Sequence, residues 1–176
     1  MTQALDATLA QALALFNAGR QSEAEALCAG LLRRGEHPGA HQFMAVLRAG
    51  QQRWEEALLH IERCLTLRPG HAPSIQIASR IWFALSLARH EERDLAGEQA
   101  ALLRTLALQP DHVEALVNLG IVSQELGDLP AAMRSYARAW RLRDDTFGRI
   151  ANALCSERTG ALWLDQEALR EALRAS

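Results

Sequence analysis

Lysine is absent from this chain of 176 residues, and all 19 basic side chains are Arg. With 21 acidic residues the formal net charge is −2, so the basic footprint expected of a nucleic-acid binder is missing. Val and Ile together number only ten, and aromatic residues make up 5%. That leaves little of the β-branched and aromatic material that strands favour. Cysteine is scarce too: Cys28, Cys64 and Cys155 are odd in number and far apart, so no disulfide framework is expected. No C-x2-C pair offers a structural zinc site, and His90-Glu91-Glu92-Arg93 lacks the second His of a zincin helix. The eleven Gly stand singly instead of forming a phosphate-cradling loop. No apolar run approaches the ~18 residues of a membrane span. The start, Met1-Thr2-Gln3-Ala4-Leu5-Asp6, has neither the basic opening nor the apolar core of a signal peptide. Ser, His and Asp never gather into a nucleophile–base arrangement. These absences together predict a cytoplasmic, non-catalytic protein with no cofactor and no metal.

Helix formers fill the space. Ala and Leu together make up about a third of the chain, and these two types lead the helix-propensity scale. The composition predicts an all-α protein with enough chain for a sizeable core.

A period of about 34 residues organises it. Residues 113–146 carry Leu116-x2-Leu119-Gly120-x2-Ser123, then Gly127, Ala132-x3-Tyr136-x2-Ala139 and Asp144. On these residues the chain resembles the tetratricopeptide repeat family, with Leu, Ser and Asp in place of the family's Trp, Tyr and Pro. Gly120 and Ala132 would let paired helices approach closely, with Tyr136 filling the space between neighbouring repeats. Weaker copies lie upstream. Residues 38–71 show Met44-Ala45, Ala57-x3-Ile61-x2-Cys64 and Pro69, with Gln52 where a turn glycine is usual. Residues 5–38 show Ala12, Leu15, Gly19, Ala24-x3-Cys28 and a late Pro38. The repeat at 72–112 holds seven extra residues, placed in a longer helix near 72–90. Glu98 stands there where a small Ala is expected, which leaves its register open. Residues 147–175 continue the pattern: a fifth helix through Phe147, Ile150, Ala151 and Leu154, a stop at Thr159-Gly160, and a last helix capped by Asp165. Trp163 would pin that helix, whose Leu164, Ala168, Leu169, Ala172 and Leu173 form one face. The expectation is one domain over 1–176, an α-solenoid of about four TPR helix pairs with a C-terminal capping helix.

The resemblance also implies a concave groove lined by the first helix of each pair. Its lining falls on Leu9, Leu13 and Phe16, on Phe43 and Val46, on Phe83 and Leu87, and on Val117 and Ile121. Such an apolar surface calls for a cover, either a partner, a second subunit or the chain's own residues 162–174. Asn17, His90, Glu91, Gln124 and Glu125 would form its polar rim. Asn118 and Asn152 are one full period apart and share one register position, like the asparagine ladders of peptide-binding family members. Their amides can pair with a peptide backbone. The carboxylate clamp of chaperone-binding members is absent, since its positions fall on Leu9, Leu13, Phe43 and Phe83.

The Pro-x-His steps at His71 and His112, with His37 and His41 around Pro38-Gly39, read as inter-repeat turns whose histidines cap helices or meet solvent. Arg134, Arg138 and Arg141, with Arg143 and Arg149 beyond, read as a solvated stripe. Trp54, Trp82 and Trp140 read as packing residues. The leading functional expectation is an interaction module that binds a peptide or helix of a protein partner. Alternatives are a secretion-type chaperone holding a hydrophobic substrate, and an accessory subunit of an enzyme complex.

Overall fold

The computed structural model describes residues 2–155 and 166–176, with side chains from residue 7 onward. Among these residues there is no strand. The helices are α1 (Thr2–Asn17), α2 (Gln21–Arg34), α3 (Pro38–Gly50), α4 (Trp54–Leu67), α5 (Ala72–Glu91), α6 (Leu95–Leu108), α7 (Val113–Glu125), α8 (Leu129–Leu142), α9 (Phe147–Leu154) and α10 (Gln166–Ala175), with a 3-10 turn at Asp144–Thr146 before α9. Consecutive helices pack in pairs, α1 with α2, α3 with α4, and α7 with α8. The chain groups into two compact units, Met1–Ile81 and Trp82–Ser176, a division that falls inside α5.

Four hairpin turns each hold one residue in the left-handed region. These are Gly19 (φ 77°), Gln52 (φ 59°), Arg93 (φ 62°) and Gly127 (φ 85°). Gln52 and Arg93 take a conformation that costs an L side chain energy, so the turn is imposed by packing on both sides. Past each turn, the fourth residue of the second helix is Ala24, Ala57, Glu98 or Ala132, all buried. Glu98 therefore holds the place in α6 that Ala24, Ala57 and Ala132 hold in their helices. The extra residues are where the period placed them: α5 has 20 residues, against 13 in α3 and 13 in α7.

Helix starts are capped by side chains. The Ala40 N–H donates to His37 Nδ1 (3.1 Å) and the Ala115 N–H to His112 Nδ1 (3.3 Å). Before α5, His71 Nδ1 lies 2.8 Å from Ser74 Oγ. His37 and His112 are thus helix-start devices, performing the task that Asp94 and Asp128 perform for α6 and α8, whereas His71 meets a side chain of its helix.

The N-terminal unit is built on Ala12, Ala24, Cys28, Phe43, Met44 and Leu47. Burial pushes the Cys28 thiol up to about 11, as befits a small apolar core residue. Arg48, almost wholly buried, ties three helices together by donating to Glu25 of α2 (2.6 Å) and Glu56 of α4 (3.1 Å). In the C-terminal unit Ala132, Tyr136, Ala137, Ile150, Leu154, Leu169 and Leu173 form one cluster. A Cβ on Gly120 would run into the Tyr136 ring, so only Gly fits there. The buried face of α10 is occupied in that cluster, and Gln166, Glu167, Glu171 and Arg174 face outward, as a capping helix requires. Ala168, expected on the inner face, is exposed. This is the part of 162–174 that can be placed. The expectations for Thr159-Gly160, Trp163, Leu164 and Asp165 lie outside the described residues.

Candidate functional site: an apolar cavity on the first two hairpins

In the N-terminal unit α1 and α3 do not close on each other completely. A cavity of about 390 Å³ remains, lined by Leu9, Leu13, Phe16 and Asn17 of α1 and by Gly39, Gln42, Phe43, Val46 and Leu47 of α3. Arg68 and His71, from the link between α4 and α5, complete it. Phe16 and Phe43 meet edge to face, ring centroids 5.5 Å apart at 85°, a preferred aromatic geometry. That contact fixes the floor. Leu13 and Val46 stay 44% exposed at the lip, and both α1 and α3 leave these apolar groups wet. Phe43 is 7% exposed, so it serves mainly as core and offers the cavity one edge.

The polar end is partly satisfied from within. Ser74 Oγ donates to Gln42 Oε1 (2.9 Å) and also lies close to His71 Nδ1 and to Cys64 Sγ (3.3 Å). Arg68 is exposed, and among the described residues no carboxylate pairs with it.

The residues expected to line a groove therefore separate. Leu9, Leu13, Phe16, Phe43 and Val46 come together in one cavity. Val117 does not serve: it is 0% exposed, enclosed by Leu116, Ala139, Leu106, Val113 and Ile121, and it offers a partner no surface. Ile121 is half-buried against two core clusters. Phe83 packs on the Leu102 cluster and stacks on the His112 ring, centroids 4.7 Å apart. Leu87 is exposed. Asn118 is half-buried and Asn152 exposed, and neither amide has a hydrogen-bond partner among the described residues. Of the expected rim, Asn17 borders the cavity, while His90, Glu91 and Glu125 belong to the other unit. Gln124 is no rim residue, being 4% exposed. It accepts from Tyr136 Oη (3.3 Å) and donates to the Ala153 carbonyl (2.8 Å).

Sequence reasoning missed Gly39, Gln42 and Leu47, which lie on α3 beside the expected lining, and Arg68 and His71, because the cavity crosses from helix faces into a loop. A second feature escaped it as well. His41 and His60 face each other across α3 and α4 with Nδ1 atoms 3.0 Å apart. His41 Nε2 lies 2.9 Å from Glu36, whose carboxyl is held below the usual range by Arg63 and then by His41. An ionised carboxylate only accepts, so His41 Nε2 donates to Glu36, and whenever His41 is neutral its Nδ1 offers a lone pair to which His60 donates. Burial, then the charges of His41 and Arg48, keeps His60 below its ordinary pKa. Elsewhere, burial raises the Glu98 carboxyl despite His90 3.0 Å away.

The arginine stripe is exposed on α8. Arg138 donates to the Pro110 carbonyl (2.7 Å) and Arg143 to Glu114 (2.8 Å). The tryptophans pack: Arg104 lies over Trp82, 5.7 Å from the ring centroid, and Trp140 lies 6.0 Å from Phe147. Among the described residues no group of three or more His, Cys, Asp or Glu could hold a metal ion, and no helix is long and apolar enough to cross a membrane.

No protein-family model matches the sequence, and no curated protein matches it either. Several solved structures are similar. MamA of Desulfovibrio magneticus RS-1, solved from its residue 41 to its end, is 16% identical with a TM-score of 0.40, covering 80% of this chain and 96% of that one. A MamA RS-1 double mutant is 16% identical with a TM-score of 0.41, covering 81% and 96%. A thermophilic TPR protein of Thermus thermophilus is 19% identical with a TM-score of 0.45, covering 88% and 84%. With paired helices, a left-handed residue at four hairpin turns and the glycine of α7 against the tyrosine of α8, this chain has the TPR-like all-α fold.

Proposed function

We propose that the chain is a non-catalytic interaction module that takes a peptide or helix of a partner protein in the cavity of α1 and α3. One observation carries this reading: an apolar cavity of about 390 Å³ opens at a lip where Leu13 and Val46 are each 44% exposed. Apolar side chains left wet in a concave site lose no polar hydration when covered, and each large guest side chain buried there is worth ~1.5–3 kcal/mol. After ordering costs, two or three such anchors give reversible binding. In this reading the protein acts in the cytoplasm without a cofactor. Asn118 and Asn152, whose amides have no partner among the described residues, are proposed as backbone-pairing groups in the other unit.

The test is capture of a Leu-rich amphipathic peptide by the full chain, followed by fluorescence anisotropy. The double variant Leu13→Glu, Val46→Glu keeps the core intact and is expected to abolish capture. Capture at unchanged affinity would sink the reading.

A further inference from the structure

The cavity's charge specifies its guest further. Nine of its eleven lining residues come from α1 and α3 and are uncharged, and no Asp or Glu lines it. The polar groups at the far end are engaged with one another through Ser74, whose hydroxyl donates to Gln42 and meets the His71 ring. That leaves Arg68. Elsewhere in the same unit Arg20, Arg48, Arg53 and Arg63 each meet a carboxylate at 2.6–3.0 Å. Arg33, Arg34, Arg68 and Arg80 meet none among the described residues, and of these four only Arg68 lines the cavity.

We propose that the guest is an apolar–acidic segment, with large aliphatic side chains seated between α1 and α3 and an Asp or Glu within about one helical turn that pairs with the Arg68 guanidinium. The proposal rests on the interaction-module reading and adds the guest's chemistry. A planar guanidinium matches a carboxylate in a forked pair. Such a pair adds less to affinity than the apolar anchors do, but it rejects a guest carrying a cation at that place.

The probes are three synthetic helical peptides of one Leu-rich amphipathic sequence in an Ala/Gln background. They carry Glu, Gln or Arg one turn beyond the last Leu. Binding to the full chain is read by fluorescence anisotropy at ~50 and ~500 mM salt. The Glu peptide is expected to bind about five- to tenfold tighter than the Gln peptide at low salt. Arg68→Gln should erase that difference, and Arg68→Glu should shift preference to the Arg peptide. Equal binding of the Glu and Gln peptides, or a preference that survives Arg68→Gln, overturns the charge proposal and leaves the apolar reading standing. If none of the three binds, both fall. A chain that sediments as a dimer and becomes monomeric in Leu13→Glu, Val46→Glu has a second copy as its guest, which also overturns the proposal.

Discussion

In the C-terminal unit the hairpin of α7 and α8 turns its signature residues inward. Gly120 admits the Tyr136 ring, the Tyr136 hydroxyl reaches Gln124, and Gln124 holds the carbonyl of Ala153. Counting from the hairpin turns, Val117 corresponds to Gln42 of α3 and Ile121 to Val46. Val117 is completely enclosed, whereas Gln42 borders an open cavity and Val46 is half exposed. The same register positions therefore close one site and open another. The hairpin with the clearest repeat motif is the one that leaves least apolar surface open, because the residues that make a repeat recognisable are those that pack it. The open cavity lies in the hairpins with weaker motifs.

The sharpest way to break this contrast is at Tyr136. Tyr136→Ala should cost about 3–5 kcal/mol in denaturant unfolding, while peptide capture by the cavity is unchanged at temperatures where the chain stays folded. An equal loss of capture would show that the two regions do not divide the work. Next in size, Arg48→Met removes the charged contacts to Glu25 and Glu56. The two acids keep access to water, so a loss of about 1–2 kcal/mol is expected. A stability unchanged in chemical denaturation would mean that the three helices are held by apolar contact alone.

Acidification gives a smaller effect. His60 has its folded-state pKa lowered, mainly by burial. Below about pH 6.5 the unfolded chain binds the proton more readily than the folded one. The contribution is therefore present above that pH and lost as pH falls through the folded value. His60→Gln should flatten the pH profile of the melting temperature between neutrality and pH ~5, and a profile that keeps its slope would remove His60 as the cause. Smallest is the lip itself. Leu13→Ala with Val46→Ala should change stability by less than about 1 kcal/mol, since both side chains are already half wet, while weakening peptide capture at least tenfold. The reverse pattern would make Leu13 and Val46 core residues after all.

How far the residues themselves foretold this varies with the distance over which each feature is built. Helix pairing, the long α5 and the place of Glu98 follow from a fixed period, which is a local property repeated along the chain. The left-handed turn at Gln52 followed from the same grid, although Gln does not advertise it. The cavity was half legible. Leu9, Leu13, Phe16, Phe43 and Val46 lie on helix faces that the period defines, but Arg68 and His71 enter from a loop whose path depends on tertiary packing. Val117 was misjudged because the register says which way a side chain points and not how closely Leu106 and Val113 crowd it. His41 and His60 stand on different helices, and nothing in their spacing announces a shared proton.

The bends at Gln52 and Arg93 bear on how such a hairpin can vary. Each holds an L side chain in the left-handed region, at a cost of roughly 1–2 kcal/mol, where Gly19 and Gly127 make the same bend freely. Glycine in turn gives up more backbone freedom on folding than any other residue, which offsets part of that difference. The net advantage of glycine is therefore modest, and helices that pack well on both sides can do without it. A search keyed on the turn glycine would pass over two of these four hairpins. The bend belongs to the pair of helices, and glycine is only one of its spellings.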